Sequence, residues 1–388
     1  MRVGLIGLGE AGNLGDDLIL ISTVQAIARA KPGCIVRYLS FGQGLAWEDV
    51  KERLSIDVIL EPVHTPRDLP FSSVAEKMFT QCDAIVFGGG GLLQDTHHPV
   101  RPYHWLRYLP DKRAALPTLA VGLGVGPLSR SWDSRFKRTG IPFSSCYVRD
   151  DESLALLDER FGWPAQRSTD FVTPRLVRRM SQSNGVQRGT ANSSLGVAIR
   201  AWPQLDKRLL ANHINRVAEW FGYRTVTLFV LESYRGDGLD VAFSQGVRGL
   251  LDIASDISTY DPQRICEFVT SMAKCETAVS MKLHSSVIWA AHDTVIFPIF
   301  YAPKTAALFG RPYNGLQVYS EPMEVRREES IFDAQDALEN WLNQVSAGNV
   351  EVPEGYLRPA DRLTMQSIGS ITTVLRKVRH HLRIPAHA

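Results

Sequence analysis

Short apolar runs, each ending in glycine or a polar residue, alternate along this chain with stretches whose apolar residues recur every three or four positions. In the first half the runs are Arg2–Leu8, Cys34–Phe41, Val58–Glu61, Asp83–Phe87, Leu116–Gly122 and Cys146–Val148. Runs of strand length between helical patterns read as parallel strands buried on both faces. The second half repeats the theme at Leu195–Ile199, Thr225–Leu231, Asp256–Thr259, Thr277–Met281 and Thr294–Phe300. Helices are predicted at Asp206–Phe221, Asp261–Lys274, Ser285–Ala291 and Asp333–Ser346. The polar stretch "VRRMSQSNGVQRGTANSS" separates the halves and reads as a linker. The pattern predicts an α/β protein of two Rossmann-like, doubly wound domains facing a central cleft. The N-terminal domain is expected over 1–176, the linker over 177–194, the C-terminal domain over 195–350 and a helical tail over 351–388.

A chain of 388 residues suits two domains rather than one core. Its formal charge of +2 gives no support to a nucleic-acid partner. The five cysteines are widely spaced and sit in apolar surroundings, the pattern of reduced, buried thiols. The first residues read as a strand rather than a signal peptide, and no apolar run has the length to span a bilayer. A cytoplasmic protein is expected. The basic tail "MQSIGSITTVLRKVRHHLRI" reads as a solvated helix face, with peripheral membrane contact as the sharper alternative. Oligomeric state is left open.

The loop "GLGEAGNLGD" reads in two ways. To Gly12 it is G-x-G-x-x-G, a dinucleotide fingerprint; from Gly12 it is G-N-x-G-D. A dinucleotide site needs its helix to begin within the glycine motif. Here apolar periodicity begins only after Asp16, which predicts a late helix capped by Asp16 or a neighbour. The second strand also ends without an acidic residue for a ribose. The second reading is preferred.

Further chemistry gathers where strands end. Ala84–Phe87 runs into Gly88–Gly91, followed by Asp95 and by His97, His98 and His104 on a loop with Tyr103 and Trp105, a composition suited to sugar. Arg200 ends the first strand of the second domain and offers a fork for carboxylate or phosphate oxygens. The run Thr277–Met281 ends in Lys282-Leu283-His284, with Ser285 and Ser286 opening a helix. Cation, imidazole, hydroxyls and free helix N–H groups there make an anion site, and the histidine is a candidate general acid. Lys304 opens a later short helix as a second phosphate contact. The acidic residues after Arg149 read as scaffold, and the role of Arg149 itself is left open.

Asn13-Leu14-Gly15-Asp16, Gly88–Gly91 with Asp95, Gly124-Val125-Gly126-Pro127, Tyr147-Val148-Arg149-Asp150-Asp151-Glu152-Ser153 and Tyr301-Ala302-Pro303-Lys304 together resemble the polysaccharide pyruvyl transferase family, in that order. The resemblance implies a fold similar to B-type glycosyltransferases, phosphoenolpyruvate as co-substrate with no cofactor or metal, and a pyruvate ketal formed on two hydroxyls of a sugar. It implies a saccharide acceptor, free or linked to a lipid or nucleotide. Donor-binding roles fall on Arg200, Lys282, Ser285, Ser286 and Lys304. Acceptor-binding roles fall on Asn13, Gly90, Gly91, His97, His98 and His104, and catalytic roles on His284, Asp16 and Asp95. Lys282 departs from the family pattern, which has arginine there. A glycosyltransferase using a nucleotide sugar, with Asp237 or Asp240 at the ribose, is the second reading. An inactive sugar-binding scaffold is the third.

Overall fold

A computed structural model describes residues 1–42, 44–64, 81–95, 105, 116–132, 143–181, 194–232, 239–326 and 333–350. His97, His98, His104, Tyr103 and Asp237 lie outside the described residues, as do the linker from 182 to 193 and the tail from 351 onward.

The first sheet comprises Arg2–Gly9 (β1), Cys34–Ser40 (β2), Val58–His64 (β3), Ala84–Leu93 (β4), Thr118–Val125 (β5), Ser145–Val148 (β6) and Gln166–Arg167 (β7). Its order is β3-β2-β1-β4-β5-β6-β7, parallel throughout. The second comprises Leu195–Ala198 (β8), Thr225–Val230 (β9), Ala254–Thr259 (β10), Thr277–Ser280 (β11), Val295–Phe300 (β12) and Gln317–Val318 (β13). Its order is β10-β9-β8-β11-β12-β13, with only β13 antiparallel. Every strand expected from the apolar runs is present. The two-residue strands β7 and β13 are too short to leave a periodic signal.

Both sheets reverse their strand order beside their first strand, between β1 and β4 and between β8 and β11. Such switch points open a crevice at the carboxyl ends of the strands. The glycine loop therefore emerges at one crevice, beside Gly90 and Gly91 in the last part of β4, and Arg200 with Lys282-Leu283-His284 at the other.

Four helices fix how the crevices meet. Leu14–Ala30 (α1) follows β1, Pro174–Ser181 (α2) leaves the first sheet, Leu283–Ala291 (α3) follows β11, and Ala334–Ser346 (α4) lies near the C-terminal end of the described chain. Val177–Ser181, expected to begin the linker, instead complete α2. Its apolar face, Leu176, Val177 and Met180, is buried, and the helix packs on α3 and on Ile265–Ala273 of the second domain. Polar residues on its outer face hid that stripe. The helix α4 crosses back to α1, where Arg29 pairs with Glu339 and Gln335 donates to Ser22 Oγ at 2.7 Å. One buried cluster runs from Leu14 and Leu18 to Phe229, Tyr260 and Val287, so the domains share apolar contact beside the cleft. The five cysteines are buried and free. No helix among the described residues is long and apolar enough to cross a membrane.

Candidate active site

The glycine loop is built differently from its sequence expectation. The helix starts at Leu14, not after Asp16, and Asn13 is its N-cap, its side chain accepting from Gly15 N at 2.9 Å. Asp16 and Asp17 fall in the first turn, where carboxylates suit the helix dipole. The loop also carries Glu10, whose side chain reaches the end of β2. This residue sits at φ 55° and only 3% exposed. Its carboxylate accepts from Tyr38 Oη at 2.8 Å, from Trp47 Nε1 at 3.0 Å and from Ser40, closing off the end of β2. The late helix start expected from the sequence is corrected, since α1 begins directly after Asn13.

Asn13 also reaches across the cleft. Its amide donates to Glu232 Oε1 at 2.7 Å, and Leu14 N donates to Leu231 O at 3.0 Å. The expected acceptor ligand is thus a brace between domains.

Gly15 sits against His284. A Cβ built on it would lie 2.1 Å from His284 Nδ1. Alanine at a helical position is worth about 1 kcal/mol over glycine. The glycine is therefore kept for the space it leaves, not for the helix.

His284 stands in the first turn of α3. Its Nε2 lies 3.5 Å from Asp170 Oδ1, and Asp170 Oδ2 accepts from Arg149 at 3.0 Å. Arg149 also faces Asp150 at 3.5 Å, and its guanidinium fills the space a Cβ on Gly124 would take. Burial alone would push the Asp170 carboxyl up, but His284 and Arg149 hold it well below the usual carboxylate range. Asp170 is thus a fixed anion behind the imidazole. Nothing in "STDFVTP" marks it in the sequence, because its partners are 21 and 114 positions away. Arg149, left open by the sequence, joins the site; the glycines of β5 that make room for it were the available signal.

Lys282 behaves otherwise. Its Nζ lies 2.7 Å from Asp240 Oδ2 and 3.7 Å from Glu232 Oε1, and the residue is 8% exposed. Its charge is already balanced, so the expected donor contact is an internal ion pair. Asp240 also accepts from Ala201 N at 2.9 Å, which leaves it engaged rather than poised for a ribose.

Ser285 and Ser286 turn away from the cleft. Ser285 Oγ donates to Lys282 O at 2.7 Å, and both hydroxyls reach Ser280 Oγ, at 2.8 and 2.7 Å. These bonds tie both hydroxyls to the end of β11 and correct their assignment as donor ligands. Asp95 is corrected too. It accepts from Ser129 N at 2.8 Å and does not line the cleft. Trp105 is buried edge-on to Phe41 at 6.2 Å, unavailable to a sugar.

The remaining residues converge. A chamber of about 120 Å³ is lined by Asn13, Gly15, Asp16, Gly90, Gly91, Arg149, Arg200, Glu232, Lys282, His284, Tyr301 and Lys304, among others. Arg200 lies 5.5 Å from the Tyr301 ring and 5.8 Å from Trp202, with its Nε buried and unpartnered. Lys304, exposed at the mouth, lies 5.9 Å from the same Tyr301 ring. Burial would raise the Tyr301 phenol, yet Lys304, Arg200 and Lys282 hold it below its ordinary value. That reversal follows from the cations that flank the phenol. A second space of about 520 Å³ adjoins it, sharing Arg149, Asp170, Leu283 and Lys304. Its far wall is aliphatic, with Val287, Ala290, Leu308 and Val325, and arginines 167, 178 and 326 also line it.

Residues 13–288 match the polysaccharide pyruvyl transferase family. No curated protein sequence matches the chain. Among solved structures, it is similar to the S. aureus MnaA–UDP co-structure, at 8% identity and a TM-score of 0.53, covering 100% of this chain and 98% of that one. It is also similar to the UDP-GlcNAc 2-epimerase of Methanocaldococcus jannaschii, at 12% identity and a TM-score of 0.51, covering 96% and 100%. A third is the UDP-GlcNAc 2-epimerase of Neisseria meningitidis bound to UDP-GlcNAc, at 11% identity and a TM-score of 0.50, covering 97% and 100%. At these identities the likeness concerns the fold of two facing α/β domains.

Proposed function

The chain belongs to the polysaccharide pyruvyl transferase family, and from that premise we propose that it transfers the enolpyruvyl group of phosphoenolpyruvate onto two hydroxyls of a saccharide, forming a pyruvate ketal. The observation that carries this reading is the chamber itself. An imidazole backed by a fixed carboxylate faces a small space that Arg200 and Lys304 also line. The donor carries a carboxylate and a phosphate. Arg200, Lys304 and the N–H groups at the start of α3 suit those two anions.

In the proposed reaction His284 protonates the methylene carbon of the donor. The adjacent carbon becomes electrophilic, and a sugar hydroxyl adds to it as Asp16 takes the hydroxyl proton. Phosphate then leaves with the electron pair of its C–O bond. A second hydroxyl of the same sugar closes the ketal, and its proton passes to the departing phosphate. Gly90 and Gly91 leave backbone, without side chains, on the first-domain wall. The adjoining aliphatic and arginine-lined space suits an acceptor whose sugar is joined to an apolar, anionic carrier.

Calorimetric titration with phosphoenolpyruvate, beside UDP- and GDP-sugars, tests the reading. Saturable phosphoenolpyruvate binding that weakens in Arg200→Ala supports it. Binding of a nucleotide sugar instead moves the assignment to glycosyl transfer. Unchanged affinity in Arg200→Ala removes that residue from the donor site.

A further inference from the structure

We propose that His284 delivers its proton through Nδ1, that Asp170 is the positioning residue holding the other proton on Nε2, and that Gly15 keeps the flank of Nδ1 clear; this rests on the reading above. The two ring nitrogens have different surroundings. Nε2 is buried and faces Asp170 Oδ1 at 3.5 Å. The side chain nevertheless keeps 15% exposure, which must belong to the rest of the ring. Nδ1 is the nitrogen left for a substrate. It lies beside Gly15, where any side chain would occupy its flank.

Asp170 is fitted to select the tautomer. Arg149 holds its second oxygen, so the carboxylate can neither rotate freely nor be neutralised by His284 alone. An anion opposite one ring nitrogen favours hydrogen on that nitrogen and stabilises the imidazolium. At 3.5 Å the contact is at the long end for a hydrogen bond, so the effect is chiefly electrostatic. In the step, the Nδ1–H bond breaks and its electron pair stays on Nδ1. The enol double bond supplies the pair for the new C–H bond. The imidazole is left neutral with its hydrogen on Nε2.

The first test reads the tautomer without turnover. In full-length protein labelled with [15N]histidine, the His284 signal is the one missing from His284→Gln. We expect the Nε2–H pattern, replaced by a mixture in Asp170→Asn. A Nδ1–H pattern in the wild type overturns the proposal.

The second test reads catalysis. The charged groups sharing the chamber are Asp170, Arg149 and Asp16 from the first domain, and Lys282, Glu232, Arg200 and Lys304 from the second. Asp170→Asn changes only the one nearest the imidazole. Its kcat is expected to fall by about 10²–10⁴, with phosphoenolpyruvate affinity kept. The alkaline limb of its pH–rate profile should move to lower pH. Wild-type kcat in a folded Asp170→Asn protein overturns the positioning role, and so does an unshifted profile. Gly15→Ala should lose turnover while keeping the fold, and wild-type turnover there removes Gly15 from the proposal. Wild-type protein that binds phosphoenolpyruvate but transfers nothing defeats the proposed reaction, while the tautomer pattern still decides the role of Asp170.

Discussion

Two buried ion clusters flank the chamber, and they are built to opposite ends. Around Lys282, two carboxylates meet one cation, and every member lies at or behind the second domain's strand ends. Around Asp170, one carboxylate meets two groups, and the cluster crosses from Arg149 of the first domain to His284 of the second. The second cluster ends on an imidazole with a free edge. A closed cluster holds structure, whereas an open one can move a proton. In this geometry the Lys282 charge is consumed internally, so a change there touches the scaffold first.

The sharpest way to break this comparison is to remove the cation-capable member of each cluster. His284→Gln should cut turnover by about 10²–10⁴-fold, the range of a lost general acid, with little change in thermal midpoint. Lys282→Met should do the reverse. It leaves the buried Asp240 carboxylate without its cation, at a cost of about 3–5 kcal/mol in unfolding free energy. Turnover per folded molecule should fall far less. Steady-state rates and denaturant unfolding on both variants measure it. A Lys282→Met protein of normal stability but no donor binding would mean the lysine faces substrate after all.

A third cluster sharpens the contrast through pH. Asp17, one position beyond Asp16, accepts from Glu10 N and from Tyr260 Oη, both at 2.7 Å, so it also ties the domains together. Burial, reinforced by Asp16 and against the hydrogen bond from Tyr260, pushes it up to about 7. Its unfolded value is near 3.9. A carboxyl raised by folding adds stability that is complete below about pH 4 and is lost as pH rises through about 7. Asp170 has the opposite sign. Its depressed value adds stability above about pH 4 that disappears on further acidification. Thermal midpoints should therefore decline from pH 5 to 8 in the wild type and decline less in Asp17→Asn. Parallel curves would show that Asp17 ionises freely in the fold.

The same contrast explains what could be read from the sequence. Strands and their carboxyl ends were legible, because an apolar run bounded by glycine is a local signal. Arg200, His284, Lys304 and Asp16 followed, since topology carries strand ends to the cleft. Side-chain direction was not legible. Ser285 and Ser286 lie one and two residues past His284, and the helical rotation between them turns their hydroxyls inward. Nor were partners legible. Asp170, Glu232 and Asp240 each act through a residue tens to hundreds of positions away, and nothing in their neighbours records it.

The smallest expected effect concerns Asn13, which separates a brace from a ligand. As a brace it caps α1 and binds Glu232, so Asn13→Ala should lose about 1 kcal/mol for the cap and somewhat more for the bond across the cleft. Turnover at saturating acceptor should change little, because His284, Asp170 and Gly15 stay in place. Asn13→Asp refines the question. Aspartate caps a helix as well as asparagine does, but it would set a carboxylate against Glu232. The cap is kept and the brace is broken. If Asn13→Asp retains stability yet raises the acceptor KM as much as Asn13→Ala does, the side chain is read by the sugar. If the aspartate variant instead loosens the domains, as hydrogen exchange at Leu14 and Glu232 would report, the first-domain loop serves to present Gly15 to His284.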